Sequence, residues 1–283
     1  RMLIVGVLGI LLVLFLVFVI SSCVHACSKK AAPEVEKNPV DSRVAAGVSE
    51  DLTKEFSTAL NQGENLKWIA EHAADYKDPK IPELALKHPE AIDFVANYPS
   101  SDGKASAYEE TIEKGTAPKL FTWDSRWGGV SFGSSILAVN GSGPTALSMA
   151  YMGLTGKGDK TPADIAELVT KANDATGDSG MHSDFVENHL EDLKLRAQGY
   201  DSSAANINAL LDQGTYLLAE VKENAFGDNA PAHWVLIASE NADGSVMVYD
   251  PTSPEVSSHP WDSATVAAAT QTLYVVSASE SAE

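Results

Sequence analysis

Residues 140–154 read NGSGPTALSMAYMGL, and the fold turns on how they are understood. Glycines flank Ser142, and Pro144 follows at once. Proline holds φ near the helical value and lacks an N–H that a first helical turn does not need, so a helix is expected to open at Pro144. Leu147, Ala150, Tyr151 and Leu154 then recur at helical spacing and supply its apolar face. A serine just ahead of such a helix sees the positive end of the macrodipole, where a nucleophile would also sit. Taken alone, it is most often a cap or turn residue.

Downstream, the patterning changes from helices to strands. Thr161–Ala172, with Pro162 near its start, and His182–Leu195 are expected as helices. Tyr216–Val221, Trp234–Ala238, Ser245–Tyr249 and Leu273–Val276 are apolar runs of strand length, the third following the turn residues Asn241–Gly244. Helices first and strands after predict an α+β class. Gly128, Gly129 and Gly133 with Phe132 are expected to form a flexible loop beside a cleft. Trp234 and Trp261 are candidates for the wall of a groove or for the core.

Upstream, residues 49–98 carry helical spacing in Leu52, Phe56 and Leu60, then in Leu66, Ile69 and Ala70, then in Ile92, Phe94, Val95 and Tyr98. Pro99 stops the pattern, and Ser100–Lys104 is a turn cluster. Residues 28–48 are rich in charge, alanine and proline without apolar period, as a linker is. Met2–Ile20 is free of charged side chains, and about 20 residues at about 1.5 Å rise span a bilayer core. The expected organisation is therefore a transmembrane or signal anchor at 1–22, a linker at 23–48, a helical region at 49–118 and an α+β domain at 119–283. A single-pass anchor with the C-terminal domain outside the cell is the first expectation. Small residues before Cys23 and Cys27 make a lipoprotein the alternative.

Composition excludes several chemistries. The 283-residue chain has a formal charge of −19, which disfavours a nucleic-acid partner, because phosphate binding needs clustered Lys and Arg. Its two cysteines, Cys23 and Cys27, both precede the globular part, so no thiolate from Ser28 onward can be a nucleophile or a metal ligand. His182 and His189 are seven residues apart, which is not the spacing of a helical zinc pair, so they are read as a solvated face and no metal is expected. Gly153–Lys160 holds Gly and Lys without the strand and spacing of a phosphate loop, and no cofactor is expected.

Three residues could carry chemistry together: Ser142 before its helix, His233 at the head of a strand, and Asp250 at the end of the next strand. In that order they supply a nucleophile, a base and a carboxylate that orients the base. A serine cap, a satisfied core histidine and an Asp-Pro turn are the bland alternatives.

The segment from Leu120 to Val276 resembles the double-glycine-type, bacteriocin-processing peptidase-like family, whose members have a papain-like cysteine peptidase fold. Trp123-Asp-Ser-Arg-Trp127 is similar to the family's opening Gln-x-Asp-x-x-Trp. Gly141-Ser-Gly-Pro-Thr145 resembles its Gly-Cys-Gly-Pro-Thr nucleophile motif, and Thr161–Ile165 the helix that follows. Ala232-His-Trp-Val-Leu-Ile237 and Tyr249-Asp-Pro251 resemble its His and Asp motifs, and His88–Val95 with Tyr98-Pro99 the helical region that precedes the domain in surface members. The resemblance implies a cleft with Ser142 at the nucleophile position, His233 and Asp250 as its partners, and Trp127 beside them. Two departures stand against peptidase activity. Ser142 replaces the family's Cys, and Thr122 stands where the Gln of the oxyanion hole is expected. A serine hydroxyl must lose its proton during attack, whereas a thiol can wait as thiolate. Loss of one oxyanion donor costs about 10²–10³ in rate. A membrane-anchored bacterial surface pseudopeptidase that binds a peptide or protein partner in its cleft is the leading expectation. An active Ser-His-Asp hydrolase and a structural ectodomain with a vestigial cleft are the alternatives.

Overall fold

The computed structural model describes residues 37–176, 180–227 and 230–279. The apolar run Met2–Ile20 and both cysteines lie outside them, and among the described residues no helix is long and apolar enough to cross a membrane.

The chain begins with a helical unit: α1 (Glu50–Ala59), α2 (Glu64–His72), α3 (Lys80–Lys87) and α4 (Ile92–Asn97). Ser49 caps α1 by accepting from the Leu52 amide, which satisfies one orphan donor of the first turn. Phe56, Leu66, Ile69, Ala70 and Val95 are fully buried between these helices. A fully buried side chain of the size of Phe, Leu or Ile contributes about 1.5–3 kcal/mol, enough to hold short helices that would be marginal alone. Residues 37–48, expected within a linker, pack on this unit instead. Val44 is buried, and the Asn38 amide donates to Thr53 Oγ1 at 2.9 Å and to the Ala45 carbonyl at 3.0 Å.

The hairpin β1 (Ser131–Phe132) and β2 (Ser135–Ile136) comes next, then α5 (Leu137–Asn140), α6 (Ser142–Thr155), α7 (Pro162–Lys171) and α8 (Ser183–Asn188). The glycine-rich segment expected as a flexible loop is thus an ordered turn, with Gly133 at φ +60° between the two short strands. The helix expected from Pro144 starts at Ser142. α7 carries a full capping box, in which Thr161 and Asp164 satisfy each other's backbone amides. The helix expected over His182–Leu195 ends at Asn188, and Leu195 already opens a strand.

The remainder builds one mixed layer: β3 (Leu195–Tyr200), α9 (Ala204–Leu211), β4 (Tyr216–Val221), β5 (His233–Glu240), β6 (Val246–Tyr249), β7 (Pro260–Trp261), α10 (Ser263–Ala269) and β8 (Thr270–Ala278). The six strands form one antiparallel sheet in the order β3-β8-β4-β5-β6-β7. The architecture is α+β. Tyr216, Leu218, Trp234 and Leu236 face the core shared with α6, α7 and α8. Leu217, Ala219, Val235 and Ile237 face the opposite core, beneath α9 and α10. With both faces covered, β4 and β5 need no polar alternation, which is why they read as unbroken apolar runs.

The helical unit is not separate from the sheet-bearing part. Its core includes Trp123, Ile136 and Ala138 from beyond the expected boundary at 118/119, and Ser135 Oγ donates to the Asp78 carboxylate across the junction.

α6 enters the core close against β5. A Cβ on Gly143 would lie 2.7 Å from Met181 Cβ and 3.1 Å from Trp234 Cδ1, and one on Gly141 would lie 2.4 Å from the Leu137 carbonyl oxygen. Both glycines are there for close approach. Gly143→Ala is expected to lower stability by about 1–3 kcal/mol through overpacking, with the fold retained, as read by chemical denaturation.

Candidate functional site

Antiparallel pairing of Leu236 with Tyr249 brings the start of β5 and the end of β6 to the same end of the sheet. There His233 Nε2 meets Asp250 Oδ2 at 2.8 Å, with both side chains buried. The other ring nitrogen, Nδ1, lies 2.8 Å from the Pro231 carbonyl oxygen. A carbonyl oxygen and an ionised carboxylate can only accept, and a neutral imidazole has one N–H to donate. Both ring nitrogens are thus turned to oxygens of the chain, Pro231 on one side and Asp250 on the other, and neither is bonded to Ser142.

Asp250 is tied down on its other side as well. Its Oδ1 accepts from the Thr252 amide and the Thr252 hydroxyl, each at 2.7 Å. Its backbone N–H donates to Ser257 Oγ at 2.8 Å. The carboxylate therefore receives three donors and shapes the turn that follows β6. These bonds satisfy the polar oxygens of a carboxyl group that is buried away from water.

Ser142 stands at the first position of α6, beside β5. Its Oγ accepts from the Trp234 backbone amide at 3.3 Å. That is its hydrogen bond among the described residues, and none joins it to His233. Thr122 lies in the same wall and is buried, yet its hydroxyl donates to the Ala138 carbonyl at 3.0 Å. Its amide donates to the Pro251 carbonyl at 3.0 Å. The single proton of the Thr122 hydroxyl is thus already used, and the group presents no donor to an oxyanion.

These residues line a cavity of about 560 Å³ between α3 of the helical unit and the sheet end, with Ser142, His233, Thr122 and Asn140 toward the sheet-bearing side and Leu84, Lys87 and His88 toward the helical side. Trp123 is part of the wall and Trp127 is not. Trp127, expected beside the cleft, is fully buried, with Nε1 donating to the Phe121 carbonyl at 2.8 Å. Trp234 also fills the core and donates from Nε1 to the Met181 carbonyl at 3.0 Å. Trp261 is half-buried and donates to the Val256 carbonyl at 2.9 Å.

His88 was not foreseen as a site residue. Its ring stacks on Trp123, with centroids 4.8 Å apart. Burial pushes its pKa below the usual ring value, a trend opposed by the nearby carboxylates of Asp250 and Glu90. Nothing in the sequence signals that a histidine 145 positions from His233 shares its cavity, because that proximity is purely tertiary. His182 and His189 take no part. The His182 amide donates to the Asp174 carbonyl at 2.9 Å, and His189 Nε2 lies 3.7 Å from the Asp174 carboxylate. Among the described residues no group of three His, Cys, Asp or Glu side chains could hold a metal.

Set beside known proteins, the sequence matches no family model and no curated protein.

Asp250→Asn removes the carboxylate oxygen that His233 Nε2 meets. It is expected to cost about 3 kcal/mol in urea unfolding, the scale for breaking a buried pair from one side. His88 supplies a pH signature. A ring whose folded pKa is depressed stabilises the protein fully above its unfolded pKa and loses that contribution as pH falls through the folded value. His88→Phe keeps the stack on Trp123 and removes the titration, so its stability relative to the parent chain is expected to rise as pH falls from about 7.5 to about 5, roughly the range that brackets a usual ring pKa, in paired denaturation series.

Proposed function

We propose that the protein is a membrane-anchored bacterial surface pseudopeptidase. A papain-like domain keeps its cleft without turnover and binds a peptide or protein segment there. The observation that carries the proposal is the state of His233. Both its ring nitrogens are engaged by oxygen acceptors, and Ser142 accepts from a backbone amide rather than giving its proton to the ring. A serine nucleophile needs a base whose lone pair faces it, and neither ring nitrogen of His233 is bonded to Ser142. Thr122 compounds this, since its hydroxyl is spent on Ala138. What remains is a hollow of about 560 Å³ with a tryptophan wall and mixed charge, a size and character suited to holding side chains.

The order of the elements supports the papain-like part of this reading. A helix led by Ser142 packs on a strand that opens with His233, and the neighbouring antiparallel strand ends in Asp250. The apolar run Met2–Ile20 is the basis for the anchor.

A serine hydrolase is the second reading, favoured by one contact: the 2.8 Å bond between His233 and Asp250 is the base–carboxylate half of a triad. A fluorophosphonate probe separates the two. We expect no labelling of the full chain above that of Ser142→Ala, and binding of hexapeptide pools that survives Ser142→Ala within about twofold. Ala232→Trp, at the half-buried lip of the cavity, should abolish that binding. Labelling and turnover that vanish in Ser142→Ala would overturn the proposal and establish the hydrolase.

A further inference from the structure

Beyond Trp123 the cavity continues into a second hollow of about 430 Å³. Glu90 and Trp123 line both, so the two are neighbours across one tryptophan. The walls of the second hollow are aromatic. Phe121 and Trp123 lie nearly parallel with centroids 5.4 Å apart, and Phe94 and Tyr98 meet at 6.0 Å. Its charged lining residues are Glu90, Asp93 and Asp124, with no Lys, Arg or His among the described residues that line it.

The three carboxylates are not equivalent. Asp124 is matched by Arg126, whose Nη2 lies 2.6 Å away. Glu90 and Asp93 are exposed and have no ion pair among the described residues. Asp93 accepts only an uncharged amide, from Asn65 at 2.8 Å. The faces of Trp123 are covered by His88 and Phe121, so the hollow offers apolar ring walls together with two carboxylates that have no ion pair among the described residues. An anion is repelled there. An uncharged side chain would draw water from the carboxylates without replacing it. A cation is attracted by the charges, and the aliphatic stem that carries it packs on the rings.

The chain already shows this combination occupied once. Arg126 holds its guanidinium carbon 4.8 Å from the ring centroids of both Tyr108 and Trp127, while Asp124 and Glu110 bond its nitrogens. Aromatic rings and two carboxylates suffice there to hold an arginine. The second hollow also combines rings with carboxylates and has no cation of its own among the described residues.

We propose that this hollow takes the cationic side chain, lysine or arginine, of a peptide whose neighbouring residues lie in the Ser142–His233 cleft. The proposal rests on the peptide-binding reading of that cleft and adds its specificity. The aromatic walls fix the aliphatic stem, and Glu90 and Asp93 meet the charge.

The test uses the full chain in detergent micelles and hexapeptide pools that carry, at one fixed position in turn, either lysine or its uncharged isostere norleucine. At one position the lysine pool is expected to bind about tenfold tighter, the scale of one charge-assisted contact to a carboxylate. Glu90→Gln with Asp93→Asn, both at exposed positions, should erase that preference, read as the ratio of lysine to norleucine affinity within the variant. Equal binding of both pools at every position, with Ala232→Trp still blocking them, would overturn the cation site while the peptide cleft stands. If no pool binds, the cleft reading fails, and Nα-acetyl-lysine methylamide decides the hollow by itself. A shift of tryptophan indole N–H signals that disappears in the double variant supports it, and no shift refutes it.

Discussion

The structure depends on the close contact between the start of α6 and the start of β5. There the Trp234 amide donates to Ser142 Oγ, and glycines at 141 and 143 let the helix approach. The Trp234 N–H would otherwise be buried without a partner, at a cost of about 1–3 kcal/mol. Trp234 fills the core and donates to the Met181 carbonyl, while His233, one residue earlier, lines the cavity. Helix, sheet and cleft are therefore positioned by one crossing. In this setting Ser142 acts as a structural acceptor, an explanation of its position beside the nucleophile and cap readings that the sequence offers.

The paired groups that resemble catalytic machinery are all engaged in holding the fold. His233 is held between Pro231 and Asp250, Asp250 organises the turn through Thr252 and Ser257, and Thr122 ties the preceding loop to Ala138 and Pro251. A Ser-His-Asp site that turns over also needs the nucleophile's hydroxyl bonded to the histidine. Here Ser142 Oγ is bonded by the Trp234 amide instead. Binding requires only the hollow that these groups enclose, together with the aromatic and acidic surface that continues past Trp123.

Much of this was legible in the sequence, for identifiable reasons. The class follows from periodicity, since α6, α7, β4 and β5 are strong apolar patterns with clear punctuation at Pro144, Pro162 and Gly244. His233 and Asp250 could be placed together because adjacent antiparallel strands bring opposite ends into register. Strand β3 could not be read, because it is an edge strand with mostly half-buried or exposed side chains and so has little apolar signal. α9 and α10 are short and rich in alanine, which predicts a helix without saying that one belongs there. Trp127 and Trp123 are four residues apart with equal claims from sequence, and only the tertiary packing separates core from wall. The placement of His88 over the site depends on how the helical unit docks, which no local pattern encodes.

The three donors gathered on the Asp250 carboxylate also bear on how such a protein ages in evolution. Position 142 needs a side chain that can accept the Trp234 amide, whereas replacing Asp250 unmakes a buried hydrogen-bonded pair and a turn at once. Once selection for turnover lapses, drift can exchange one acceptor for another at the nucleophile position but meets strong resistance at the histidine and the aspartate. The chemical heart of a lineage can then disappear first while its most recognisable letters persist, kept by the demands of folding. In a lineage of this build, an intact His–Asp pair is a record of architecture, and the state of the nucleophile is the record of chemistry.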